Sequence, residues 1–187
     1  MIHSVRFTAV LDTCVLYPLL HRDILLWFAS HQLFTPKWTK HICDEWYDVM
    51  KRKGISENKI NKRIAYIDDA FPDARVLNYE KIISFLQLPD DKDRHVLAAA
   101  IKTNANVIVT SNLKDFPEDV LTEYGLSSKS PDDFLVDTID LNPKTAVIAF
   151  REMVSNRSRP TIDEFELLTQ LRRNGLYNTA DYLHSQL

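Results

Sequence analysis

The sequence is short of cysteine, glycine and net charge, and each shortage removes a class of protein. Two cysteines, Cys14 and Cys43, do not make a disulfide framework. Both sit among apolar residues, where free thiols behave as small hydrophobes, so buried reduced thiols are expected. Three glycines, with no low-complexity tract and no internal repeat, leave a chain of ordinary folded segments. No apolar run approaches the roughly 20 residues that a membrane span needs. The first residues also lack the basic stretch, apolar core and cleavage site of a signal peptide. A cytoplasmic chain without membrane contact is therefore expected. The net charge of −3 supplies no global attraction for nucleic acid, so such contact needs local basic patches or cations held on acids. His41 and Cys43 lie close together, but no second pair follows at ligand spacing, which argues against zinc.

What is present alternates short apolar runs with longer helical ones, the pattern of an α/β domain with a parallel sheet. Strands are expected at Phe7–Leu11, Leu33–Phe34, Val76–Leu77 and Val107–Thr110. The run at 107–110 lacks alternation, as befits a strand covered by helices on both faces. Helices are expected over Leu19–Ser30, from an N-cap at Thr39 to about Lys53, from Ser56 onward, over Tyr79–Leu86, and from Asp90 or Asp91 to about Thr103. Ser130–Pro131 fits a cap and first helical position. Beyond about 140 the character changes. Asn142–Pro143 opens a helix to roughly Asn156, and Thr161-Ile162-Asp163-Glu164 reads as a capping box for a helix ending near Gly175. The chain thus divides into an α/β domain, 1–140, and a helical extension, 141–187, packed on that domain or swapped from it. A homodimer through the extension stays open.

Four acids stand at the ends of these segments. Asp12 follows the first strand, at the carboxyl end where open α/β sheets place their sites. Glu45 borders the apolar stripe Ile42, Trp46, Val49 and Met50 of its helix, whereas Asp44 and Asp48 point away. Asp93 lies on the face of Val96 and Leu97 in a first helical turn, while Asp90 and Asp91 are better explained as capping residues. Asp115 trails the 107–110 strand. Singly, each is more simply a cap than a ligand. Together, under one topology, they form a cluster whose charge a divalent cation would neutralise.

Three segments carry a resemblance to a known family. Val10-Leu11-Asp12-Thr13-Cys14-Val15-Leu16 resembles the opening motif of PIN-domain nucleases, Asp93-Arg94-His95-Val96-Leu97-Ala98-Ala99-Ala100 their Asp-led alanine-rich helix, and Thr110-Ser111-Asn112-Leu113-Lys114-Asp115-Phe116 their closing motif. Ser130-Pro131-Asp132-Asp133-Phe134-Leu135 resembles the end of the domain in one bacterial branch. The resemblance covers about residues 5–138 and implies a three-layer PIN-like fold. It also implies a Mg²⁺- or Mn²⁺-dependent ribonuclease, often the toxin of a VapC-type toxin–antitoxin pair. Asp12, Glu45, Asp93 and Asp115 would then be the catalytic, metal-site acids. Cys14 stands where the family usually has Asn, which would loosen hydrogen bonding beside the first acid. Asn112 stands where some members carry Asp, so either Asp115 serves as the fourth acid or that position is lost.

On that reading Asp12 and Asp93 hold the main ion, and Glu45 and Asp115 complete its site directly or through water. Thr13, Thr110 and Asn112 orient waters or phosphate oxygens behind the acids, and attack by water leaves a 5′-phosphate and a 3′-hydroxyl. Arg94 is the expected contact to RNA substrate. Lys51-Arg52-Lys53 with Lys59, Lys62 and Arg63 is the densest basic stretch, and Arg157, Arg159, Arg172 and Arg173 give the tail a second. Trp27, Trp38 and Trp46 are expected in the core, and His95 on a helix face away from Asp93. A cognate antitoxin would cover the acidic cleft. A haloacid-dehalogenase-type phosphatase needs Asp-x-Asp after the first strand, and Asp12-Thr13-Cys14 lacks it. The alternative is a non-catalytic PIN-like module that binds RNA or protein.

Overall fold

The computed structural model describes residues 7–158 and 160–187, so Arg159 lies outside the described residues. Its centre is a parallel sheet of four strands, β1 (Thr8–Leu11), β2 (Thr35–Lys37), β3 (Val107–Val109) and β4 (Ser127–Lys129), in the order β2-β1-β3-β4. Val10 lies between Lys37 and Ile108 in register. The central strands are buried almost throughout, as their unbroken apolar runs demand.

Parallel neighbours need crossovers. α1 (Thr13–Leu16) and α2 (Leu19–Ser30) join β1 to β2. α3 (Lys40–Arg52), α4 (Glu57–Ala70), α5 (Glu80–Ile83) and α6 (Arg94–Lys102) carry the chain back past β1 to β3, and α7 (Glu118–Thr122) leads on to β4. The chain leaves β1 toward one edge of the sheet and β3 toward the other. Between their carboxyl ends lies a topological switch point, where open α/β sheets place their ligands.

The expected α/β fold is found, with local corrections. The second strand begins at Thr35, not at Leu33–Phe34, and includes Pro36. That residue is tolerated because β2 is an edge strand and needs no outward N–H there. Val76–Leu77 is not a strand; Arg75 makes a lone bridge with Trp38. β4 has no apolar run, only Ser127-Ser128-Lys129, and gave no signal in the sequence. The expected helix over Tyr79–Leu86 shortens to Glu80–Ile83. The helix expected from Asp90 or Asp91 begins as a 3-10 turn, Asp91–Asp93, which Asp90 caps by accepting from the Lys92 N–H at 2.9 Å.

The remaining helices are α8 (Pro131–Leu141), α9 (Pro143–Ser155), α10 (Glu164–Arg173) and α11 (Tyr177–Gln186). Ser130 and Asn142 cap α8 and α9 as expected. α10 is capped by Asp163, not Thr161: its carboxylate accepts from the Glu166 N–H at 2.7 Å, and a charged acceptor suits a helix N-terminus better than a hydroxyl. α9 packs on α2, and α11 packs on α8 and α10. Trp38 and Trp46 are buried in the core, and Trp27 is partly buried. Both cysteines are free; Cys43 is buried and Cys14 half-buried. Among the described residues, no helix is long and apolar enough to cross a membrane.

Candidate active site

Asp12 leaves the end of β1 with its N–H still bonded to Val109 O of β3, which fixes its backbone at the switch point. Its carboxylate is buried, and both oxygens accept hydrogen bonds. Oδ1 accepts from the Thr13 N–H at 2.6 Å, and Oδ2 accepts from the Thr110 hydroxyl at 2.8 Å and the Cys14 thiol at 3.1 Å. The sulfur in turn accepts from the Ser111 N–H at 3.1 Å. Cys14 therefore ties the two central strand ends together, and the expected loosening is not seen. Burial, with the charge of Asp12 beside it, pushes the Cys14 thiol up to about 11, so it stays protonated and able to donate.

Glu45 is brought to this site by α3. Its Oε2 accepts from the Thr13 hydroxyl, and its Oε1 lies 3.0 Å from His95 Nε2. Asp44 and Asp48 on the same helix are exposed, and Asp44 pairs with Lys40. Burial alone would raise the Glu45 carboxyl, but the bonds from His95 and Thr13 outweigh it and hold the group below its usual value. His95 is buried, and its ring lies 5.2 Å from that of His41, whose Nδ1 meets the Tyr79 hydroxyl at 2.5 Å. The role of His95 was missed in the sequence, where only its separation from Asp93 could be read.

Asp93 caps α6 without spending its side chain on a helix N–H. Burial, then the charges of Asp12, Asp90, Asp115 and Glu45, raise its carboxyl to about 6. All four expected acids thus feel one another at Asp93. Asp115 ends a 3-10 turn, Leu113–Asp115, and is half-buried. Among the described residues, no three His, Cys, Asp or Glu side chains stand close enough to grip one ion as they are. A hollow of about 630 Å³ between α2, β2 and α4 contains none of the four acids.

The other expected site residues are placed as follows. Thr13 and Thr110 hold Glu45 and Asp12 directly. Asn112 is exposed, and its backbone N–H rather than its side chain bonds to Thr110 Oγ1 at 3.0 Å. Arg94 turns back on the preceding loop, donating to Asp91 O at 3.0 Å and pairing with the Asp91 carboxylate at 3.1 Å.

Residues 8–114, more than half of the chain, match the PIN domain family. The chain belongs to the PIN-domain family. Residues 131–185 match a second family description, the VapC50 C-terminal domain. Within this PIN-domain chain, 80 residues are 45% identical to a protein of Mycobacterium tuberculosis (strain ATCC 25618 / H37Rv) named "Putative ribonuclease VapC50", over 43% of this chain and 47% of that one. The aligned stretch is about half the length of that relative. No solved structure matches. The resemblance to the VapC-type branch of PIN domains is borne out by these matches.

Proposed function

We propose that the chain is an endoribonuclease that cleaves RNA phosphodiester bonds with Mg²⁺ or Mn²⁺, and that it is the toxin of a type II toxin–antitoxin pair. The observation that carries this reading is the crowding of carboxylates at the switch point: burial first, and then the charges of Asp12, Asp90, Asp115 and Glu45, lift Asp93 to about 6. Such crowding is costly in an apo chain and is relieved by a cation. The donor set fits in kind, since carboxylate oxygens are the ligands that Mg²⁺ and Mn²⁺ prefer. The similarity to a protein named as a ribonuclease points the same way.

Asp12 and Asp93 would hold the ion, with Glu45 and Asp115 completing its surroundings. When bound, the ion supplies positive charge for the phosphodiester and acidifies a water. The chain's own residues do the rest. Thr110 and Cys14 fix the rotamer of Asp12, and His95 and Thr13 fix that of Glu45 and favour its ionised form. Asp93 gives up its proton at the carboxyl oxygen when positive charge arrives. Arg94 reaches substrate only by exchanging its bond to Asp91. A cognate antitoxin would cover the acids, and the chain would work in the cytoplasm.

The test is cleavage of a structured RNA with Mg²⁺ or Mn²⁺ supplied. Asp12→Asn and Asp93→Asn should each lose more than about a hundredfold in rate, because even groups behind metal ligands are worth 10- to 100-fold. Undiminished activity in either variant overturns the reading. A second reading, a non-catalytic RNA- or protein-binding module, draws on Glu45 being already engaged with Thr13 and His95. Calorimetric titration separates the two: weak Mn²⁺ binding with no cleavage favours the module.

A further inference from the structure

A second cavity, of about 350 Å³, opens between α2, α3 and α4. Arg22, Trp46, Lys62, Arg63 and Tyr66 line it, over a floor of Leu26 and Ile67. It shares α3 with the acid cluster: Glu45 belongs to the cluster, and Trp46, the next residue, lines the cavity.

Three observations set this cavity apart. Arg22 is 9% exposed, donates to Leu16 O at 3.1 Å, and lies 5.1 Å from the Trp46 ring centroid. Burial pulls its guanidinium below the ordinary range; Asp23 offsets part of this and Arg63 adds to it. Trp46 is 1% exposed, and its indole N–H is buried with no acceptor. A donor left so costs stability and calls for a partner. On the wall, among the described residues, Lys62 and Arg63 have no carboxylate partner, and neither has Lys59 one turn earlier on α4; Arg63 reaches only the Met50 sulfur, at 3.7 Å. Asp23 also lines the cavity, but it is already shared between Arg22 and Arg157.

We propose that this cleft is an RNA-backbone site, in which a phosphate seats against Arg22, Lys62, Arg63 and the Trp46 N–H while Tyr66 stacks on a base. Lys59, Lys62, Arg63 and Tyr66 fall at i, i+3, i+4 and i+7, one face of α4 about 10 Å long. A row of cations ending in an exposed aromatic ring is the arrangement that tracks a single strand. Tyr66 is 74% exposed. An acidic peptide would use the cations but not the ring. The choice of RNA rests on the nuclease reading above, and the site would feed the strand along α3 toward Glu45.

The test is anisotropy of a fluorescein-labelled twelve-nucleotide single-stranded RNA with the full chain in EDTA, so that cleavage plays no part. Lys62→Glu/Arg63→Glu should bind at least tenfold more weakly. Its salt dependence should flatten by about 1.4, two contacts at about 0.7 each. Trp46→Phe, which keeps an aromatic ring but removes the N–H with the five-membered ring, should weaken binding severalfold in a chain that still folds by circular dichroism. Wild-type affinity and salt slope in the double variant overturn the site. So does a Glu-rich peptide whose binding is lost in that variant while RNA binding is kept, which assigns the cleft to a protein partner. If the wild type cleaves RNA and the double variant binds it normally, this site fails and the nuclease stands. Cleft-dependent RNA binding without cleavage is the reverse.

Discussion

Asp93 concentrates the electrostatics of the molecule in one carboxyl. Its ordinary value of 3.8 rises to about 6 in the fold. The folded chain holds this proton more tightly than the unfolded chain does. Folding is therefore favoured at low pH and loses stability as pH climbs from about 4 to about 6. Discounted for the group's partial exposure, the loss is about 1 kcal/mol. Without metal at pH 7, Asp93→Asn should melt about 2–4 °C higher than the wild type while losing activity, which a thermal scan checks. Bound cation displaces the same proton, so Mn²⁺ affinity should fall about tenfold per pH unit below about 6, read by calorimetry at several pH values. His95 acts on the neighbouring acid. His95→Leu should weaken Mn²⁺ binding about 10- to 100-fold, and His95→Gln, which keeps a donor, should recover most of it. Equal affinity in all three proteins, by electron paramagnetic resonance titration, would show that Glu45 needs no such support. The acids themselves were legible because strand ends and helix starts are read locally. His95 and Cys14 were not, because their partners lie 50 and 96 residues away in the chain.

At the scale of the element, β1 and β3 announce themselves by unbroken apolar runs, since both faces are covered. The edges do not. β2 holds a proline and β4 only two serines and a lysine; proline and lysine are residues by which edge strands discourage further pairing. The order of the sheet therefore could not be read, although the carboxyl ends of its two central strands could. In the sequence Asp132 stands out only as part of a motif, yet its side chain ties α8 to α11. Its buried carboxylate accepts from the Asn178 N–H at 3.0 Å, the Thr179 N–H at 2.8 Å and the Thr179 hydroxyl at 2.7 Å. It caps α11 from another helix, because Leu176 at the N-cap position has no side-chain acceptor. Asp132→Ala removes that acceptor, strands the buried Thr179 N–H and leaves the Thr179 hydroxyl only the backbone O of residue 132, at 3.3 Å. The expected cost is about 2 kcal/mol, a fall of about 4–8 °C in Tm by differential scanning calorimetry. A change under about 1 °C would mean that water replaces the carboxylate.

For the whole molecule, the question is whether the helices after 141 form a unit of their own. The apolar side chains of Leu167, Leu171, Leu176 and Leu183 belong to the same contiguous buried cluster as Val10 and Ile108. α9 lies on α2, and polar ties join the two stretches: Arg157 to Asp23 at 3.4 Å, His31 to Glu152 at 3.2 Å and His21 to Asn174 O at 2.8 Å. Single surface pairs of this kind add little. The shared core is what couples the halves, because stripping the helices away would uncover α2 and α8 along apolar faces. A chain of 187 residues is also within the range of one cooperative core. The three tryptophans, Trp27, Trp38 and Trp46, all lie in the first quarter of the sequence, so fluorescence is weighted to the sheet side. Circular dichroism at 222 nm counts the C-terminal helices as well. The two signals should fall at the same temperature, in one transition. A helical loss that precedes the fluorescence change would instead make the C-terminal helices a separately folding appendage. Truncation after Leu141 would then leave a soluble PIN domain, where the shared core predicts aggregation.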